Sequence, residues 1–276
     1  MYTTTMAFSY AVEPASSNNR RRTFLTTLLF ASGGIVGWPF ALALAFPFIG
    51  EELFVFGSDH VPLQDRWSWA VSRWKRLLAA GATALLLFVR LLFLPLLHFN
   101  TSFLQIPVIA IDTVAYGRLA IVPWNIVRYN IFGGSERGPE LYGTAPWTFY
   151  FLNLILNFNI LFPLALLSLP SLYVTYIFDR KRLGIHKPSP DETSPFSLLA
   201  LRLAPLYLWL GILTSQPHKE ERFMFPAYPL LCFNAATTLY LIRGWFEVSF
   251  VSFTRSPYKV SRFPFLFTFF MSYSIL

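Results

Sequence analysis

Five consecutive residues, His218-Lys219-Glu220-Glu221-Arg222, set an imidazole, two carboxylates and two cations between apolar stretches. A lysine and an arginine this close suit a phosphate-bearing lipid, because the arginine fork can hold phosphate through two parallel hydrogen bonds. The plainer alternative is a solvated linker whose ions pair among themselves. Pro217 suits the first turn of a helix, where its missing N–H costs nothing. A helix begun there sets His218 and Arg222 four apart, and Lys219 and Arg222 three apart, on neighbouring faces. Glu220 and Glu221 then fall in the first turn, where the helix dipole favours negative charge. From the residues alone, an anion site at a membrane surface and a charged linker both stay open.

The elements that must carry this cluster follow from composition. Apolar residues make up 55% of the 276 and charged residues only 13%, against about 25% charged in soluble domains. With 30 Phe, 8 Trp and 13 Tyr the chain reads as an all-α, multi-pass membrane protein and a single domain over 1–276. Five apolar segments, approximately 23–49, 76–97, 148–177, 196–214 and 224–245, are long enough to cross a bilayer, which needs ~20 residues. Gly33, Gly34, Gly37 and Pro39 predict a kink or break in the first. Pro163 and Pro170 do so in the third, and Pro226 and Pro229 sit near the start of the fifth. Met1–Val12 has neither the basic start nor the cleavage site of a signal peptide and reads as the tail of a longer helix. Residues 263–276 are too few for a span, so the domain is expected to be truncated. The single cysteine, Cys232, excludes an intrachain disulfide, and a zinc site is not expected. The net charge of +8 is scattered between apolar spans, which speaks for loop bias and against nucleic-acid binding.

Alternating crossings send 50–75, 178–195 and 246–262 to one side, and 11–22, 98–147 and 215–223 to the other. Counting border residues, twelve basic residues face eight, which puts the first set in the cytoplasm. The run Arg20-Arg21-Arg22 pulls the other way. The longest connection, 98–147, is rich in Tyr, Trp, Asn, Gly and Pro, and a long ordered loop of this kind commonly carries function. Tyr142, Trp147 and Tyr150 can equally form an interfacial aromatic belt. Asp112 reads as a polar anchor or, alternatively, a catalytic carboxylate. His60 and His98 lack partners at metal-ligand spacing, so no metal is expected. The sequon Asn100-Thr101-Ser102 lies close to a membrane end. Arg202 is expected to snorkel from its span, while Arg90 has no evident partner.

At this point the motifs carry a resemblance. Pro217–Leu230, PHKEERFMFPAYPL, closely resembles the HKEERF signature of the dolichyl-phosphate-mannose-dependent mannosyltransferases of glycosyltransferase family 22, which have the GT-C membrane fold. IDTVAYGRLAIVPWNIVRYNIF (111–132), GPELYGTAPWTFYFLNLILNFN (138–159) and GGIVGWPFALAL (33–44) look like one branch of it. That branch is the endoplasmic-reticulum alpha-1,2-mannosyltransferases, which extend the dolichol-linked oligosaccharide for asparagine-linked glycosylation. The LYGTAPW block separates it from the alpha-1,6 and glycolipid-anchor branches. The resemblance covers roughly 1–89 and 107–260. It implies a partial GT-C fold in the endoplasmic-reticulum membrane, with the cluster and loop 98–147 facing the lumen. Dolichyl-phosphate-mannose is the implied co-substrate, with no separate cofactor. The implied acceptor is the dolichol-linked oligosaccharide. His218, Lys219 and Arg222 are implied to bind the departing phosphate, and Glu220 and Glu221 to orient them or hold acceptor hydroxyls. Asp112, Tyr116, Asn125, Tyr142 and Trp147 are implied around the donor or acceptor sugars. The family's carboxylate base belongs to a first lumenal loop with no counterpart here, so the catalytic base is unknown and the chain by itself is expected to be inactive. Arg90–Ile106 also lacks a counterpart and is expected to be a splicing artefact. A non-catalytic or transporter-like membrane protein is the reading from another class; a transporter would place its charges near the bilayer midplane within inverted repeats.

Overall fold

The apolar segment 23–49, expected to cross the membrane once, is a hairpin. In the computed structural model α1 (Tyr2–Val12) is followed by α2 (Arg20–Ser32), a wide helical turn Gly33–Gly37 and an extended Trp38. Pro39 opens a 3₁₀ stretch, Pro39–Ala45, that leads into α3 (Phe46–Gly50) and a second wide turn, Glu51–Val55. A Cβ on Gly34 would lie 2.5 Å from Leu42 Cγ, so the two limbs close only over glycine. The ends then meet: the Arg22 guanidinium donates to Glu52 at 2.8 Å and Thr23 Oγ1 to Glu52 at 2.7 Å. Ends in contact cannot lie on opposite faces of a membrane. Arg20 and Arg22 therefore gather with Arg73, Lys75 and Arg76 at one end of the bundle.

The structure describes residues 2–12, 20–55, 61–97, 113–118, 122–132, 143–183 and 195–254, and every element among them is helical. The remaining elements are α4 (Arg66–Leu97), α5 (Val122–Phe132), α6 (Phe149–Phe158), α7 (Leu161–Leu166), α8 (Ser168–Phe178), α9 (Pro195–Ser215), a 3₁₀ stretch Glu221–Ala227 and α10 (Tyr228–Thr254). Among the described residues, Pro195–Ser215 and Glu221–Glu247 are long and apolar enough to cross a membrane. Arg90–Leu97 continue α4, whereas residues 98–106, with His98 and the sequon, lie outside the described residues, as does His60.

Broken helices need replacement partners for freed backbone groups where water is scarce. Pro170 has no N–H for the carbonyl of Leu166, and Tyr207 of α9 supplies the missing donor: its hydroxyl reaches Leu166 O at 2.9 Å. The same hydroxyl accepts from the Leu169 N–H at 3.1 Å. Asn234 of α10 donates to Ser168 Oγ at 3.0 Å and to Leu203 O at 3.1 Å, tying α8, α9 and α10 together. The apolar core lies between these helices and the hairpin, around Trp209, Tyr150, Phe162, Leu44 and Leu231, all fully buried.

At the charged end, two adjacent carboxylates hold four guanidiniums among the described residues. Glu51 pairs with Arg22 and, at 3.1 Å, with Arg202 of α9. Glu52 pairs with Arg22, with Arg73 of α4 at 2.9 Å, and more distantly with Arg76 at 4.0 Å. Arg22 also donates to Ala11 O at 2.6 Å, and Arg202 to Val12 O at 3.3 Å. Arg202 thus does not snorkel; it is fastened to the hairpin. Removing one partner of a buried pair leaves an uncompensated charge, at a cost of about 3–5 kcal/mol. Glu52→Gln is therefore expected to lower the thermal unfolding midpoint in detergent strongly, whereas Glu247→Gln, whose native carboxylate is 29% exposed, has a small effect. Equal shifts for the two would contradict the role assigned to Glu52.

Candidate functional site

The polar cluster lies past the far end of α9, thirteen residues of helix or about 20 Å from Arg202. The helix expected from Pro217 does not form there. Residues 216–218 form a bend, Lys219 and Glu220 are irregular, and the 3₁₀ stretch begins only at Glu221, with Glu220 extended at its N-cap. His218 and Arg222 are therefore not one helical turn apart. Glu220 stands between them instead: Oε1 lies 3.0 Å from His218 Nε2, and Oε2 pairs with Arg222 Nε. The backbone is straightened because residues 143–145 compete for it. Ala145 N–H donates to Pro217 O at 3.0 Å, and His218 Nδ1 to Gly143 O at 3.0 Å. Lys219 Nζ donates to Ala145 O at 2.9 Å and also to Gln216 O. Gly143 has φ +101, a conformation that side chains disfavour, and this turns its carbonyl to the histidine.

Further groups lock the segment from below. Tyr150, buried in α6, accepts from the Glu220 N–H and donates to the Glu220 carbonyl, both at 3.2 Å. It is therefore not part of an aromatic belt. Asn157 donates to Glu221 Oε1 at 2.8 Å, and Trp209 Nε1 to Phe223 O at 2.9 Å. Trp38, at the hairpin reversal, stacks on Phe223 with centroids 4.7 Å apart.

These residues open onto a cleft of about 720 Å³, lined by His218, Glu220, Arg222, Trp38 and, from α5, Tyr129 and Asn130. A smaller recess of about 260 Å³ beside it shares Trp38, Asn130 and His218. Arg222 is 69% exposed and is the open cation of the cluster. Lys219 is only 9% exposed and bound to two backbone carbonyls, so it fastens the loop instead of presenting charge to a ligand. Burial pushes its ammonium below the ordinary value.

Of the other residues expected here, Tyr116, Asn125 and Trp147 are exposed and none of them lines the cleft. Asp112 and Tyr142 lie outside the described residues. The sequence reading missed Trp38, Tyr129, Asn130, Tyr150 and Asn157, because aromatic and amide residues give no spacing signal in a chain so rich in them. Glu51-Glu52 did carry a signal, two adjacent acids at the edge of an apolar segment. Among the described residues no three His, Cys, Asp or Glu side chains converge to hold a metal ion.

Both ring nitrogens of His218 face acceptors, a carbonyl and a carboxylate, which favours the imidazolium over the neutral ring. The hydrogen bond to Glu220, then that to Gly143, raises its pKa above the ordinary 6.5. The same His218 contact lowers that of Glu220 below 4.5. A raised histidine stabilises the fold below its unfolded pKa and loses that contribution as pH rises through the folded one. The lowered carboxylate loses its own as pH falls through its folded value. The thermal midpoint of the protein is thus expected to fall as pH rises above about 6.5, and His218→Asn to flatten that dependence. An unchanged slope in the variant would refute the assignment.

With this geometry in place, comparison with known proteins gives a family. The chain matches the Alg9-like mannosyltransferase family over residues 1–276, and it belongs to that family. It is 38% identical over 244 residues to "Alpha-1,2-mannosyltransferase ALG9" of Homo sapiens, covering 87% of this chain and 33% of the relative. It is 34% identical over 235 residues to "Alpha-1,2-mannosyltransferase alg9" of Schizosaccharomyces pombe, covering 85% and 34%. "GPI mannosyltransferase 3" of Drosophila melanogaster is 30% identical over 125 residues, covering 44% and 18%. The chain thus spans about a third of the length of the first relatives. No solved structure matches it.

Proposed function

We propose, from the premise that the chain belongs to the Alg9-like mannosyltransferase family, that its cleft is the leaving-group side of a mannosyl-transfer site. The donor is dolichyl-phosphate-mannose, and the acceptor is a dolichol-linked oligosaccharide that receives mannose in alpha-1,2 linkage for asparagine-linked glycosylation. The linkage is supported by the alpha-1,2 activity named for the human and fission-yeast relatives. The setting is the endoplasmic-reticulum membrane, crossed several times in a GT-C arrangement. The cluster faces the lumen, because the opposite end gathers Arg20–Arg22, Arg66, Arg73, Lys75 and Arg76 as a cytoplasmic end does.

In the transfer the acceptor 2-hydroxyl oxygen bonds to C1 of mannose, with inversion, while the C1–O bond to phosphate breaks. The electron pair leaves with dolichyl phosphate, and the hydroxyl proton passes to a carboxylate base that is not assigned within this chain. Glu220 is already held between His218 and Arg222, so it orients those cations and is not given that role. The departing phosphate develops charge where the site is poorly solvated, and fixed cations act most strongly there. Arg222 supplies such a charge, with His218 fixed beside it by Gly143 and Glu220, and Trp38 offers an aromatic face in the same cleft. The non-catalytic alternative is disfavoured because the charges of residues 218–222 lie past the C-terminal end of α9, not at its middle.

The observation that carries this reading is the exposed Arg222 over a cleft built by HKEERF and the hairpin. Its test is binding of farnesyl phosphate, a short donor-lipid analogue, to the purified chain, followed by tryptophan fluorescence. A charge-assisted hydrogen bond is worth about 1.5–3 kcal/mol, so Arg222→Ala is expected to weaken binding by about tenfold to a hundredfold. Farnesol, which lacks the phosphate, should bind weakly to both proteins. Equal affinity for wild type and variant, or for phosphate and alcohol, would sink the donor-phosphate role.

A further inference from the structure

The charged end holds a second cavity, unrelated to the cleft. Between α2 and the first turns of α4 lies a recess of about 550 Å³, lined by Arg20, Arg73, Lys75, Arg76 and Ser72, with no carboxylate on its wall. Arg20 and Lys75 are exposed. One helical turn or more along from them, the walls become apolar, with Phe24 on α2 and Ala79 and Ala80 on α4.

Arg76 shows that the charge here is not neutralised from within. Its nearest carboxylate oxygen, Glu52 Oε1, is 4.0 Å away. That oxygen already accepts from Arg73 at 2.9 Å and Thr23 at 2.7 Å. Arg76 Nε and Nη2 are buried, with no hydrogen-bond partner among the described residues, although the side chain as a whole is 15% exposed. Buried charged donors without acceptors are costly, and a structure keeps them where something else satisfies them. Glu51 and Glu52 also serve Arg22 and Arg202, which leaves the local balance positive even before Arg20 and Lys75 are counted. A tetrahedral anion with several acceptor oxygens suits a guanidinium fork and a nearby ammonium.

We propose that this recess is a phosphate-binding site whose ligand is the headgroup of an anionic membrane lipid. The phosphate sits among Arg20, Lys75 and Arg76, with the Arg76 guanidinium turned by one rotamer into the recess. The glycerol and acyl chain run along Phe24 and Ala80. The grading from cationic mouth to apolar wall, at an end of the bundle, favours a lipid over free phosphate.

Native mass spectrometry of the detergent-purified chain, offered phosphatidylglycerol or phosphatidylcholine, tests this, with thermal midpoints in inorganic phosphate measured alongside. One retained phosphatidylglycerol per chain is expected, preferred at least about tenfold over phosphatidylcholine. Arg20→Gln/Lys75→Gln and Arg76→Gln should each lose about tenfold of that retention, while Arg222→Ala keeps it. In lipid-free detergent Arg76→Gln is expected to unfold no earlier than wild type, because it removes donors that lack acceptors. A phosphate-induced rise in midpoint that Arg76→Gln abolishes, without lipid retention, would overturn the lipid assignment. Retention unchanged in both variants, or no response to either probe, would overturn the site.

Discussion

The fold depends on two adjacent carboxylates placed where water is scarce. Glu51 and Glu52 join the start of α2, the return limb of the hairpin, the N-terminal half of α4 and the N-terminal half of α9 through Arg22, Arg73 and Arg202. Desolvating so many ions is expensive, so such a hub is weak evidence for net stability. Its effect is on geometry. With each carboxylate shared by several guanidiniums and the Ala11 carbonyl added, displacing one helix exposes charge in the others. That constraint fixes the hairpin reversal at Trp38 relative to α9, and with it one wall of the cleft at the far end.

The cleft is assembled by a comparable exchange of polar groups, conducted mainly through the backbone. Gly143 and Ala145 take the place that helical hydrogen bonding would have filled after Pro217. The result is a straight strap, held by His218, Lys219 and the Tyr150 hydroxyl, from which Arg222 projects. Two of the three cations in the motif thereby serve the loop's shape, and one stands exposed at the cleft. A motif of five ionisable residues is thus divided between scaffold and site. A uniformly charged patch would lack the fixed orientation that makes charge useful in a transition state.

Much of this was legible beforehand. The apolar segments 196–214 and 224–245 coincide with α9 and with the 3₁₀ stretch leading into α10, because length and continuous hydrophobicity signal a long apolar helix without reference to neighbours. The prolines at 163 and 170 and the glycines at 33 and 34 marked real breaks. Whether a break bends a helix or reverses it is decided by what its far limb can reach. Here that limb ends in two acids facing Arg22, so it reverses. The same blindness made Arg202 look like a snorkelling side chain and Lys219 like a ligand. A side chain's partner, when it lies 74 or 151 residues away, leaves no local trace.

The sequence by itself determined the kind of molecule and which charges neighbour one another: composition dictated an apolar helical bundle, and the HKEERF run set the charges side by side. Tertiary structure alone decided which of those charges face the open cleft and which face the protein. It also decided that both ends of segment 23–49 share one face. The physical reason is the same in both cases. Burial and hydrogen bonding are properties of three-dimensional neighbours, and in a poorly solvated interior each cation must find its acceptor wherever the fold brings one within about 3 Å.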